Sequence, residues 1–437
     1  MSGPASRRNP LPEGAVAVGA GLAVTAAASY AFLIFAARII GPVEFGALSI
    51  LWSLVFLIGG CFVPFEQDVS RRLVARRLAG VGGRPIVVRT VAIGLVLVAG
   101  CTVVIAAAGS WLSDRLFNGE PLLVAGLALG MLGYLVANLT EGTLSGNARF
   151  GRYGTYLGGE SMLRFAFLLV CVGIGVRTAG PIGLALGLAP LAMAVLVLWG
   201  QGDLVEPGPV VPWRDHIGSL ASLLTGALLS FAIVNGPPVL LQLIAGPERS
   251  AEVGVFTAAL IIARIPLFLW QAIQAALLPG LTAMASRGEI PAMRRGVVRL
   301  TAIVLVLVAG GTALAFAFGP AVVEALFGSA YPIDRRTVGL LALASGGFVL
   351  TTALALAIVA LGGTRVVPIG WAVGFVTMVV VVSLGTDVLL RVELAFVSAT
   401  WVAAVVMASL LRRQLRLGAT VHTDDALVGL NDLTYEV

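Results

Sequence analysis

Apolar runs of about 20 residues recur a dozen times along this chain, separated by short stretches rich in Gly and Pro. No other feature so narrows what it can fold into. About 20 apolar residues in helical form cross a hydrocarbon core of roughly 30 Å, and in lipid only helices and closed barrels satisfy every backbone donor and acceptor. The runs fall near residues 14–40, 45–66, 87–109, 121–146, 153–176 and 181–200, then 216–245, 252–284, 292–319, 336–362, 366–386 and 392–411. Composition agrees: 59% of residues are hydrophobic, 11% are charged and mean hydropathy is +1.01, against roughly 25% charged in soluble domains.

All 28 basic residues are arginine, and their placement sets an orientation. With the N-terminus cytoplasmic, nineteen arginines fall on the inner side, seven on the outer side, and Arg164 and Arg264 within the membrane. That bias is what the positive-inside rule requires, so both ends are expected in the cytoplasm. The +6 net charge thus belongs to topology, and no nucleic-acid partner is implied. Met1 to Glu13 reads as a short cytoplasmic segment before a retained first helix, not a cleaved signal. Cys61, Cys101 and Cys171 all lie in apolar runs, with neither disulfide nor metal spacing.

The chain also resembles itself. Arg89 to Thr102 overlays Arg299 to Thr312 with ten of fourteen positions identical. The same register brings Leu116-Phe117 onto Leu326-Phe327 and Asp114 onto Glu324. Gly41-Pro42-Val43-Glu44-Phe45-Gly46 falls near Gly246-Pro247 and Glu252-Val253-Gly254, and Arg149 and Gly154 match Arg365 and Gly370. Each half holds six spans, so both enter the membrane in the same sense. A parallel repeat has its axis along the membrane normal and its site between the halves. The expected fold is an all-α membrane protein of about twelve helices in two pseudo-symmetric six-helix lobes. An N-lobe is expected at 14–200, a cytoplasmic linker at 201–215, a C-lobe at 216–411 and a polar cytoplasmic tail at 412–437.

The segment Ala37-Arg38-Ile-Ile-Gly-Pro-Val-Glu-Phe-Gly-Ala-Leu-Ser49, followed by Glu66-Gln-Asp-Val-Ser-Arg71, resembles the start of polysaccharide transporters, the oligosaccharide-lipid flippases of the MOP superfamily. Gly146-Asn-Ala-Arg149-Phe-Gly-Arg-Tyr153, with Glu160 and Arg164, is similar to that family's fourth and fifth helices. The resemblance extends over most of 14–411 and carries no catalytic signature. It implies two six-helix bundles (MOP/MATE-like) rocking in alternating access to flip polyprenyl-linked oligosaccharides in a bacterial cytoplasmic membrane. The cargo lipid, membrane lipids and glycan-assembly proteins are the partners implied. Multidrug exporters of the MATE branch have the same helix number. Lipid II flippases have two further helices, where this sequence has a short polar tail.

Charges in the membrane are candidates for the site, since each costs about 2.5–3.5 kcal/mol at a helix centre on the lowest scale. Arg264 stands about 18 Å along its helix from Glu252, and a guanidinium can pair with phosphate oxygens. Equally, it could satisfy a carboxylate or a broken helix in the other lobe. Glu160 and Arg164, four apart on one helix, form a self-neutralising pair or supply a second phosphate contact. Glu141, beside Asn138, is either hydrated near the cytoplasmic surface or, with Glu160, a proton or sodium coupling site; no other cofactor is expected. Gln271 and Gln274 offer amides for sugar hydroxyls or glue between helices. Asn235-Gly-Pro237-Pro238 is expected to interrupt the seventh helix as a kink or hinge, with further bends at Pro64, Pro266 and Pro279. Arg71 to Arg77 reads as a basic loop, required by topology or holding anionic headgroups. Short outer loops, with His216 and His422 on the cytoplasmic side and no phosphate-cradling motif, argue against an enzyme and against direct ATP drive.

Overall fold

The computed structural model describes residues 14–210 and 213–417, without the side chains of 213–223 or of several α11 positions including Gln271 and Pro279. The readings placed on 1–13, on His422 and on 418–437 lie outside the described residues, as does the side chain of His216. The first lobe comprises α1 (Ala15–Gly59), α2 (Val63–Leu78), α3 (Arg84–Ala107), α4 (Gly109–Leu116), α5 (Pro121–Gly146), α6 (Phe150–Gly173), α7 (Ala179–Gly183) and α8 (Ala185–Leu198). The second comprises α9 (Trp213–Ala245), α10 (Ser250–Ala263), α11 (Ile265–Ser286), α12 (Ile290–Phe327), α13 (Arg335–Ala360), α14 (Val367–Val382) and α15 (Val388–Leu417).

Eleven stretches of the described residues are long and apolar enough to cross a membrane, and the first, Val16–Leu78, has 63 residues. A straight helix of that length would span about 95 Å, some three times the hydrocarbon core. It instead reverses at Gly41, whose φ of 77° and ψ of 173° are non-helical, so the described residues make twelve crossings. The described chain therefore begins and finishes at one end of the bundle, the near end, and Gly41 lies at the far end. The two lobes pack alike: α1 on α6 as α9 on α14, α3 on α5 as α12 on α13, α5 on α8 as α13 on α15. The outward faces match as well, with repeat-equivalent Val96 and Val306 72% and 71% exposed, as lipid-facing side chains should be.

The lobes meet across a reciprocal crossing at the far end. Gly246 repeats the Gly41 turn with φ 82° and ψ 171°, a backbone shape costly for any residue with a Cβ. Three extra residues, Pro247–Arg249, form a 3₁₀ turn in the second lobe. Beyond it a shared register runs through both lobes. A methyl group on Gly46 would collide with the Ser250 carbonyl, and one on Gly254 with the Pro42 carbonyl. One turn on, the Ser49 hydroxyl meets that of Thr257 at 3.1 Å. Pro42, Gly46 and Ser49 thus face Ser250, Gly254 and Thr257 about a pseudo-two-fold axis.

Three sequence expectations change. Arg71 to Arg77 are not a loop: α2 continues to Leu78, and buried Asp68 pairs with Arg71 and Arg72 one turn ahead at 3.2 and 3.0 Å. Hydropathy marks where a helix leaves the lipid, not where it ends. The run 252–284 is not one helix but two, joined at Arg264 (φ −93°, ψ −3°). Pro266 in the first turn of α11 explains the joint, because proline offers no donor to the preceding turn. Conversely, Pro237 and Pro238 do not interrupt their helix, since α9 runs from Trp213 to Ala245 with both inside it. The carbonyls of Ile233 and Val234 forgo their helical partners there, and Val234 borders a cavity.

Candidate functional site

That cavity, of about 440 Å³, lies between the lobes. Its second-lobe wall is built around the joint of α10 and α11. Fourteen residues of α10 carry the chain about 21 Å down from the far end, which brings Arg264 near mid-membrane. The side chain turns into the cavity, where Nη1 donates to Asn235 Oδ1 on α9 at 3.4 Å. Its Nε and Nη2 are buried with no hydrogen-bond partner among the described residues. Tyr30, on α1 of the other lobe, donates its hydroxyl to the Ile261 carbonyl at 3.2 Å, which also accepts the Arg264 backbone N–H at 3.3 Å where α10 ends. A buried cation with two idle donors is expensive, and such a group is normally held for something that binds it.

The opposite wall is acidic and aromatic. Glu66, Glu141 and Glu160 all line it. Glu160 pairs with Arg164, which is 5% exposed. The guanidinium carbon of Arg164 lies 5.2 Å from the centre of the Trp52 ring, a cation–π distance. The Arg164 Nε has no hydrogen-bond partner among the described residues. Trp52 stacks on Phe56 at 4.8 Å, and Phe56 meets Tyr134 edge-on at 5.2 Å, so three rings climb the wall. Glu66 accepts a hydrogen bond from the Tyr153 hydroxyl at 3.1 Å. Glu141 accepts none from the described residues, and the Asn138 amide bonds back to the Tyr134 carbonyl at 2.8 Å.

Arg264, Arg164, Asn235, Glu141 and Glu160, singled out in sequence, therefore border one cavity. Gln274 is not among the residues lining it, because the break at Arg264 ends the helical face on which the two would have lain together. The Gln271 side chain is outside the described residues. Pro237 and Pro238 lie one turn of α9 from the cavity residue Val234. Sequence reasoning missed Glu66 as a site residue. The signal was present: Glu66 ends an apolar run just after Pro64, in the first turn of α2, and hydropathy averages it out of the membrane. It also missed the ring ladder, whose members come from two helices 78 residues apart between Phe56 and Tyr134.

No family model matches the sequence. An uncharacterized protein of Mycobacterium tuberculosis is 26% identical over 430 residues, covering 95% of this chain and 94% of its own length. One from Mycobacterium bovis shows the same identity and coverage. A second Mycobacterium tuberculosis protein is 26% identical over 272 residues, covering 61% of this chain and 62% of its own. Among solved structures, an inward-facing multidrug-resistance MATE transporter of the MOP superfamily superimposes with a TM-score of 0.70 at 16% identity, covering 91% of this chain and 96% of that one. An outward-facing MATE transporter gives 0.64, also at 16%, covering 92% and 94%. A MOP-superfamily transporter from Pyrococcus furiosus, described as having a binding pocket of reverse polarity, gives 0.66 at 18%, covering 92% and 94%. The fold is that of the MOP-superfamily transporters, and the chain is a multi-pass membrane protein.

Proposed function

We propose that the protein is an alternating-access transporter that flips oligosaccharide joined through phosphate or pyrophosphate to a polyprenyl lipid. It would act in the bacterial cytoplasmic membrane, for cell-surface polysaccharide synthesis. One observation carries this reading: the buried Arg264 guanidinium, with two unpartnered nitrogens, opens into the cavity between the lobes. A phosphate group supplies the acceptors those nitrogens lack, in the paired geometry guanidinium favours. The sequence resemblance to oligosaccharide-lipid flippases points the same way. Glu66, Glu141 and Glu160 are the groups through which a proton or sodium ion would couple to the cycle. The near end, rich in arginine, is assigned to the cytoplasm.

The acidic, ring-lined first-lobe wall favours a second reading, an ion-coupled exporter of cations of the MATE type, since carboxylates and aromatic faces together attract cations. A lipid II flippase would share the chemistry of the leading reading and differ in the sugars attached. Arg264→Ala separates anionic from cationic cargo. On the flippase reading it abolishes movement of the lipid-linked sugar while the protein still inserts. Unchanged or faster transport in that variant, with cationic dye efflux dependent on Glu141, would instead establish the exporter.

A further inference from the structure

Two outward arginines run against the inward bias of basic residues, and the cavity chemistry uses neither. Arg38 closes the first crossing of α1, and Arg115 lies in the last turn of α4. Each reaches across to the carboxyl end of a helix in the other lobe. Arg38 Nε donates to the Leu326 carbonyl at 2.6 Å and Nη2 to the Ala325 carbonyl at 2.5 Å, in the last turn of α12. Arg115 Nη2 donates to the Leu243 carbonyl at 2.8 Å near the end of α9. The Gln242 amide returns a bond to the Arg115 carbonyl at 3.2 Å.

These acceptors are orphan carbonyls, which a helix cannot satisfy for itself and where its dipole favours a cation. The repeat makes the two contacts equivalent. The first crossing corresponds to α9 and the consecutive helices α3 and α4 to α12, so arginines on one lobe bridge the same two pairs of elements in opposite order. Under them the phenylalanines of the repeated Leu-Phe dipeptides are packed away: Phe117 and Phe327 are 0% and 1% exposed. Phe327 meets Phe45 at 6.3 Å and Tyr331 at 5.7 Å, and the Tyr331 hydroxyl donates to the Ala37 carbonyl at 2.7 Å.

We infer that Arg38 and Arg115 are gate residues, capping helix ends of the opposite lobe only while the far end is closed and so setting how often it opens. This goes beyond the cargo reading and needs no cargo to test. Because both arginines are exposed, their bonds are easily exchanged for water, which suits a latch that must release each cycle.

The test uses the full chain in sealed vesicles, with Cys61, Cys101 and Cys171 replaced by serine and a reporter Ser230→Cys on the cavity wall. A membrane-impermeant maleimide applied at the far face labels the reporter at a rate proportional to the open fraction. Arg38→Ala and Arg115→Ala are each expected to raise that rate by on the order of tenfold, equivalent to about 1.4 kcal/mol, and Arg38→Lys, which keeps a cation and donors, to recover part of the closure. Labelling from the near face should not rise. Should an alanine variant fail to fold, Tyr331→Phe removes a single oxygen from the same seal and should raise far-face labelling alone. Unchanged far-face labelling in the folded variants overturns the inference, whatever the cargo. A flippase assay that fails while far-face labelling rises as expected leaves the gate standing and discards the cargo.

Discussion

At the scale of single residues the two membrane arginines stand in contrast. Arg164 is paired with Glu160 and laid over Trp52; Arg264 has one long bond to Asn235 and two idle nitrogens. Breaking a buried ion pair by removing one partner typically costs about 3–5 kcal/mol, because the other charge is left uncompensated. Arg164→Ala is therefore expected to lower the apparent Tm in detergent sharply, and adding Glu160→Gln to restore most of it. Arg264→Ala removes a charge that is poorly compensated already, so its Tm should not fall below the parent's even as transport is lost. A large loss of stability in Arg264→Ala would mean that the residue is structural after all. Both arginines could be read from sequence, since a charge in an apolar run announces itself. Their difference could not, because it depends on which helices from the rest of the chain come to face them.

At the scale of elements, the Gly41-Pro42 and Gly246-Pro247 turns were legible because a Gly-Pro pair falls there between two apolar runs. The joint at Arg264 was legible only in part: Pro266 marked a bend, but the run around it is too evenly apolar for the pattern to show that one span becomes two helices. Pro237 and Pro238 taught the converse: a helix held by neighbours on both sides continues through residues that would end it in water. The close crossing makes a sharper prediction. Replacing Gly254 with valine puts side-chain atoms where the Pro42 carbonyl lies, at a cost of about 1–3 kcal/mol for forced overpacking. A Ser49→Cys/Thr257→Cys pair should form a disulfide readily in the otherwise unchanged chain, since the native oxygens are 3.1 Å apart. With Gly254→Val added, that disulfide should form at least several-fold more slowly, as non-reducing electrophoresis would show. Equal rates would mean that the crossing yields more easily than its geometry implies.

At the scale of the whole molecule, apolar runs, arginine bias and the internal repeat together specified two six-helix lobes with a site between them. They were legible because solvent selects on every residue of a span at once. Cargo identity depends on a few side chains facing one another across the lobes, and no local pattern encodes that. On the flippase reading, cells depleted of the protein should accumulate lipid-linked oligosaccharide on the cytoplasmic leaflet and lose surface polysaccharide, as leaflet-specific chemical labelling can measure. An even distribution, with no second transporter present, would send the search to cation efflux.

The crossing of Gly46 and Gly254 also has the form of a seam between two copies. A contact in which residue i of one half meets residue j of the other, and j meets i, is the signature of an isologous dimer. A six-helix half pairing with its own copy through this face would make the same contact twice. In such a dimer one mutation would alter both sides of the seam; in a single chain each side can change alone, yet neither glycine can acquire a side chain without striking the other half's backbone. The two positions are thereby bound to a common fate. Halves of this chain separated within the linker and produced together should still find one another across that seam.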